Sequence, residues 1–171
     1  DGEAPRVVLL SPGPRSETSF EQGFLAARLG YPLAVGGDLT VRDGRVWLKT
    51  LDGLQRVHAI LRRLDDGYCD PLELRPDSAL GVPGLTDCMR TGSVLIANAL
   101  GSGVLESGAM LGFLPALAQR LLGEPLKMPS VGTWWCGERA AREDAFARMD
   151  ALVFKPADPA HPFEPVFGQD L

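Results

Sequence analysis

Histidine and cysteine are scarce in this 171-residue chain, with two and three copies, and the 17 Lys and Arg are outnumbered by 22 Asp and Glu. Each shortage excludes something. Cys69, Cys88 and Cys136 are odd in number, widely spaced and free of any Cys-x-x-Cys, so neither a disulfide framework nor a structural zinc site is expected. Two histidines are too few for zinc hydrolysis, and neither lies near Cys136 in sequence, so a thiol nucleophile is not expected. A net charge of −5, with no basic cluster interleaved with aromatics, argues against a nucleic-acid partner. No apolar run approaches the roughly 18 residues of a membrane span, and the amino end does not read as a signal peptide. A cytoplasmic protein with reduced thiols, no metal site and no membrane partner is the expectation. The chain lacks an initiator Met, which suggests a processed protein or a piece of a longer one.

Hydrophobic residues make up 45% of the chain and charged residues 23%, ordinary values for a globular protein of one domain or slightly more. A chain of this length buries roughly 70% of its unfolded surface, enough for a core without staples. Val7-Val8-Leu9-Leu10 reads as a buried parallel strand, broken by Ser11-Pro12-Gly13-Pro14. A helix follows, with Thr18-x-x-Glu21 as a capping box, Phe20, Phe24 and Leu25 at helical spacing, and Gly30 as its stop. Leu33-Ala34-Val35 is a second strand. Thr40–Arg42 and Val46–Lys49 flank Asp43-Gly44, a hairpin signal because both turn residues need positive φ. Val57 to Arg62 predicts another strand with His58 buried in it. A short helix spans Gly84 to Arg90, and Val94–Asn98 forms a further strand. A helix is expected from near Phe113, since Pro115 is tolerated only in a first turn, to Gly123. Arg139 to Met149 is an exposed helix, and Leu152–Lys155 a final strand. The alternation predicts an α/β fold: a three-layer, mostly parallel sheet with an inserted β-hairpin.

The run Leu61-Arg62-Arg63-Leu64-Asp65-Asp66 ends a strand in paired charges. Adjacent strand residues point to opposite faces, so the two arginines part company. At least one should meet a partner, either a structural carboxylate such as Asp65 or Asp66 or an anionic ligand in the crevice at the strand's carboxyl end. The turns Ser11–Pro14 and Asn98–Gly103 place backbone N–H groups at such junctions, although neither is a dinucleotide or phosphate-loop fingerprint, which disfavours a nicotinamide oxidoreductase. Adjacent Trp134 and Trp135 cannot both enter one core face. One of them either lines a cleft or plugs two layers. Lys155 either snorkels at a sheet edge or meets a phosphate.

Several strings occur together: Ser-Pro-Gly-Pro before a Ser-Phe-Glu helix, Asp38-Leu39-x-Val41-Arg42-Asp43-Gly44, and Leu48-Lys49-Thr50-Leu51-x-Gly53-Leu54-x-Arg56-Val57. Further along come Ile60-Leu61-Arg62-Arg63-Leu64-Asp65-Asp66, Cys69-Asp70-Pro71-Leu72-Glu73-Leu74-Arg75, Asn98-Ala99-Leu100-Gly101-Ser102-Gly103-Val104-Leu105-Glu106 and Pro129-Ser130-Val131-x-Thr133-Trp134-Trp135-Cys136-Gly137. From about Val7 to Leu171 the chain resembles the circularly permuted ATP-grasp proteins. It departs from that pattern at His58, where an acid is expected, and at Gln22, where a histidine is expected.

The resemblance implies that residues 1–123 form a Rossmann-like pre-ATP-grasp, substrate-binding domain, 124–150 a connector with a helix, and 151–171 the truncated start of a nucleotide lobe. It implies an ATP-dependent carboxylate–amine ligase in a full-length parent, using ATP and Mg²⁺, with nothing bound to this piece and no activity of its own. Small-molecule or peptide carboxylates and amines, and the rest of the parent polypeptide, are the expected partners. Arg62, Arg63, Asn98, Gly101, Ser102, Gly103, Trp134 and Trp135 would bind substrate, Lys155 would meet the ATP phosphates, and Phe167-Gly168 would open a phosphate-covering loop. The alternative is a non-catalytic protein-interaction domain in which the arginines form structural ion pairs.

Overall fold

A computed structural model describes residues 4–158 and 163–171. His161 lies outside the described residues. The chain divides into two compact units, Asp1–Ser102 and Gly103–Leu171.

The first unit carries a four-stranded parallel sheet, built from β1 (Val7–Ser11), β2 (Leu33–Val35), β6 (Ala59–Arg62) and β7 (Leu95–Ala97) in the order β2-β1-β6-β7. Helix α1 (Ser19–Leu29) connects β1 to β2, and α2 (Leu85–Arg90) lies between β6 and β7. From the centre the chain therefore winds outward in both directions. Right-handed crossovers then put α1 and α2 on opposite faces, and the winding reverses between β1 and β6. Side-chain alternation agrees. Val8, Leu10, Ile60 and Ile96 join one buried cluster with Leu85 and Cys88 of α2, whereas Leu9 has the opposite parity and α1 lies against β1.

Between β2 and β6 sits an antiparallel sheet of β3 (Leu39–Arg42), β4 (Arg45–Thr50) and β5 (Gly53–Arg56). Its first turn is the expected Asp43-Gly44 hairpin, with φ of 52° and 65°. Leu39 and Val46 place this sheet over the α2 side of the core.

Four expectations change. Strand β6 begins at Ala59, because Val57 instead donates its N–H to Val46 O at 2.9 Å. His58 is accordingly half-buried ahead of the strand, where its Nδ1 accepts the Arg6 N–H at 3.0 Å. Thr18 makes no side-chain cap on α1, since its Oγ1 accepts Gln22 Nε2 at 2.7 Å. In the second unit, α3 runs Met110–Leu122 with Pro115 inside it. Its opening turn is closed by i→i−3 bonds from Met110, Leu111 and Gly112.

That unit also holds α4 (Arg139–Ala147) and a two-stranded antiparallel ribbon, β8 (Val153–Phe154) with β9 (Val166–Phe167). Lys155 falls just outside β8. Gly168 is buried, and its N–H bonds Leu152 O at 2.9 Å. Among the described residues of this unit, the buried apolar side chains are the alanines Ala118, Ala141 and Ala145.

Asp70 is a fully used polar side chain of the first core. It is wholly buried and accepts Leu72 N at 3.0 Å, Gly84 N at 3.1 Å, Thr86 N at 3.0 Å and Thr86 Oγ1 at 2.7 Å. Burial pushes its pKa upward, but the Thr86, Leu72 and Gly84 donors outweigh burial and hold it below the ordinary carboxyl value. A depressed carboxyl pKa contributes stability above the unfolded value, about 3.9, and loses that contribution as pH falls through the folded value. Asp70→Asn should therefore cost about 2–3 kcal/mol near neutral pH. In urea melts at stepped pH the gap from wild type should shrink below about pH 4.

Candidate functional site

The carboxyl ends of β1, β6 and β7 meet at one edge of the parallel sheet. Register pairs Leu10 with Arg62, so Arg62 turns to the α2 face and Arg63, one residue on, to the other. Arg62 is 8% exposed, and its charge is enclosed by acceptors. Nε donates to Asn98 O at 2.6 Å, Nη1 to Leu64 O, and Nη2 to Ala99 O at 3.3 Å and Ser102 Oγ at 3.1 Å. The Asp66 carboxylate completes the shell, with Oδ1 2.5 Å from Nη2. Asp66 Oδ2 in turn accepts the Gly101 N–H at 2.8 Å.

The turn after β7 is shaped for this. Asn98 and Gly101 both take positive φ, 60° and 87°, which curls the carbonyls of 98 and 99 toward the guanidinium. Asn98 Nδ2 returns a bond to Arg62 O at 2.9 Å, cross-tying the two strand ends. Arg62, Asn98, Gly101 and Ser102 thus form one cluster, and the carboxylate-sized space between Arg62 and the Gly101 N–H is filled by Asp66. Gly103 lies in the short 3₁₀ turn Ser102–Glu106.

Arg63 is placed differently. Its backbone N–H bonds Leu10 O at 2.8 Å, which seats it beside the carboxyl end of β1, while its side chain is exposed. The β1–α1 turn next to it is rigidly set. Ser11 Oγ donates to Gln22 Oε1 at 2.5 Å and accepts the Gly13 N–H at 2.9 Å, and Gln22, 2% exposed, reaches on to Thr18. The sequence gives little sign of this Ser11–Gln22–Thr18 chain beyond a polar residue four positions after a threonine.

Cys69 lies under Arg62. Burial raises its thiol pKa to about 11 despite the neighbouring guanidinium, so it stays protonated and inert at neutral pH. All three cysteines are free, Cys69 and Cys88 buried and Cys136 exposed. Among the described residues no group of three or more His, Cys, Asp or Glu is placed to hold a metal ion, and no helix is long and apolar enough to cross a membrane.

In the second unit, Trp134 and Trp135 are both about half exposed, at 49% and 44%. Trp135 tilts against Phe113 with ring centres 6.1 Å apart, and the Arg148 guanidinium covers a face of Trp134 at 4.3 Å. Lys155 is exposed.

The sequence profile of the circularly permuted ATP-grasp type 2 family matches residues 1–171, and the chain belongs to that family. An uncharacterised protein of Mycobacterium tuberculosis is 46% identical over 151 residues, which is 88% of this chain and 17% of that protein. An uncharacterised protein of Synechocystis is 39% identical over 165 residues, 96% of this chain and 34% of its own. Another from Mycobacterium leprae is 37% identical over 166 residues, 97% of this chain and 30% of its own. The chain spans between 17% and 34% of the length of these relatives.

Removing the Arg62 guanidinium would leave Asp66 and several carbonyls facing a void. Arg62→Ala should destabilise the protein by about 3 kcal/mol, and Arg62→Lys should recover little of it because a lysine offers no planar fork. Arg63→Ala should stay within about 0.5 kcal/mol of wild type. Equilibrium denaturation of the three variants checks this directly.

Proposed function

We propose that this chain supplies the substrate-binding portion of an ATP-dependent carboxylate–amine ligase, acting within a longer polypeptide and inactive by itself. The observation that carries the reading is the division of labour between the adjacent arginines. Arg62 is consumed in building the sheet edge, whereas Arg63 stands exposed beside the β1–α1 turn, where the winding of the sheet reverses. Open α/β sheets bind ligands at such a point, and a guanidinium with no side-chain partner among the described residues matches a carboxylate through two parallel hydrogen bonds. Arg63 is the residue that meets the acid. Arg62, Asn98, Gly101, Ser102 and Gly103 hold the neighbouring turn in shape.

In this reading residues 1–123 bind the non-nucleotide substrate, 124–150 connect, and 151–171 open a nucleotide lobe in which Lys155 faces ATP phosphate. ATP-grasp proteins in general use ATP and Mg²⁺. The donor set described here does not fit the metal, since the carboxylates are scattered or, like Asp66 and Asp70, committed to internal donors. Phosphoryl transfer needs metal-borne charge neutralisation, so that part of the chemistry is assigned to other segments of the longer protein. Three free thiols support a cytoplasmic setting.

The test uses the full-length protein and a screen of acids with amines for ADP release. With the pair that supports turnover, Arg63→Ala should raise KM for the acid by about 30-fold, the equivalent of about 2 kcal/mol, and leave thermal stability unchanged. Unchanged kinetics in that variant would remove Arg63 from the site, and no ADP release with any pair would remove the ligase assignment.

A further inference from the structure

The segment around the two tryptophans is built more tightly than a passive surface loop requires. A methyl group added at Gly137 would lie 2.3 Å from Trp135 Cζ2, and one at Gly132 would lie 2.9 Å from Trp134 Cη2. At Gly112 of α3 it would lie 2.7 Å from Thr133 O. Glycines therefore press the loop backbone onto both indoles and seat the loop on the helix. Yet the indoles remain half exposed, which is unusual for side chains so closely braced.

They border a hollow of about 80 Å³, shared with Phe113, Thr133 and Glu138. Among the described residues Glu138 is the one charged residue lining it, and none of their cations is paired with that carboxylate. The lining thus combines three aromatic residues with a single acidic one. Such a combination suits an organic cation, because the face of an indole ring and a carboxylate both favour positive charge. Trp134 already shows the preference, since the Arg148 guanidinium, steadied by Asp144 at 2.6 and 2.9 Å, occupies one of its faces.

We infer that the Trp134–Trp135–Glu138 hollow is a binding site for a small organic ammonium group. Its volume suits a head group of two or three heavy atoms, given a share of about 30 Å³ for each water-sized group. The inference deepens the ligase proposal and rests on it in one respect: the ammonium ion would be the amine substrate, collected as its cation before deprotonation for attack. The cation site itself follows from the hollow alone.

The probe is n-butylammonium chloride, added to the ¹⁵N-labelled 171-residue protein while the three indole N–H resonances are followed by NMR. Trp47 serves as an internal control, because it lies in the first unit with Nε1 bonded to Arg42 O at 3.2 Å. The indole signals of Trp134 and Trp135 should move saturably with a Kd in the millimolar range, and Trp47 should not. Sodium butyrate at the same concentrations should leave all three in place. Glu138→Gln, an exposed and conservative change, should weaken the response about fivefold. Shifts that fail to saturate, an equal response to butyrate, or full affinity in Glu138→Gln would each overturn the site. Failure here leaves the ADP assay and the role of Arg63 untouched. Butylammonium binding in a protein whose full-length parent releases no ADP would retain the site and discard only the amine-substrate assignment.

Discussion

A guanidinium taken out of water loses several kcal/mol of solvation, and it is tolerated only where acceptors replace the lost water completely. Arg62 meets that condition through main-chain carbonyls from two strand ends, a hydroxyl and a carboxylate. The geometry of the whole sheet edge follows. Asn98 has to adopt a left-handed backbone to aim its carbonyl at Nε, Gly101 has to continue the curl, and Asp66 has to sit in the 3₁₀ turn after β6. Remove the charge and the left-handed backbone at Asn98, sparsely populated by residues other than glycine, loses the bond that holds it. The edge is a single polar unit, satisfied jointly or not at all.

This also explains why two identical neighbours do different work. Strand alternation sends Arg62 into the polar knot and Arg63 outward. The knot fixes the end of β6, and the Arg63 N–H to Leu10 O bond fixes its seat against β1. On the far side of β1, Ser11 and Gln22 hold the first turn with the same economy of buried hydrogen bonds. An exposed arginine between two rigid turns has its root held in position while its head faces solvent, an arrangement compatible with binding.

Much of the fold was legible because its signals are local. Asp43-Gly44 needed only turn chemistry, the glycine stops of α1 and α3 only backbone sterics, and the apolar runs of β1, β6 and β7 only their length and flanks. The opposed arginines followed from strand alternation. What was hidden depends on distant partners. Strand β5 has no β-branched residue and is recruited by β4. Thr18 looks like a cap but serves Gln22. Asp70 reads as loop punctuation before Pro71, yet its four donors come largely from residues 14 and 16 positions away. For Arg62 the run left two partners open, a carboxylate at Asp65 or Asp66 or a ligand, because the course of the turn that brings Asp66 back to it is not revealed by propensity.

The two units solve the problem of rigidity in different ways. The first has large side chains packed on the α2 face of its sheet and Leu9 buried on the other, so its polar edge rests on a stiff support. Among its described residues the second buries little beyond alanines and leaves Leu121, Leu122, Met128 and Phe146 about two-thirds exposed or more. A unit with so few buried apolar contacts opens locally at small free-energy cost. Its tryptophan loop is nevertheless well defined, because contact between glycine backbone and indole needs no core. It orders the loop through immediate neighbours in sequence and one turn of α3. Local bracing of this kind can hold a recognition surface in shape while the surrounding unit remains adaptable, and it accounts for glycines at 132 and 137 more directly than any need for a turn.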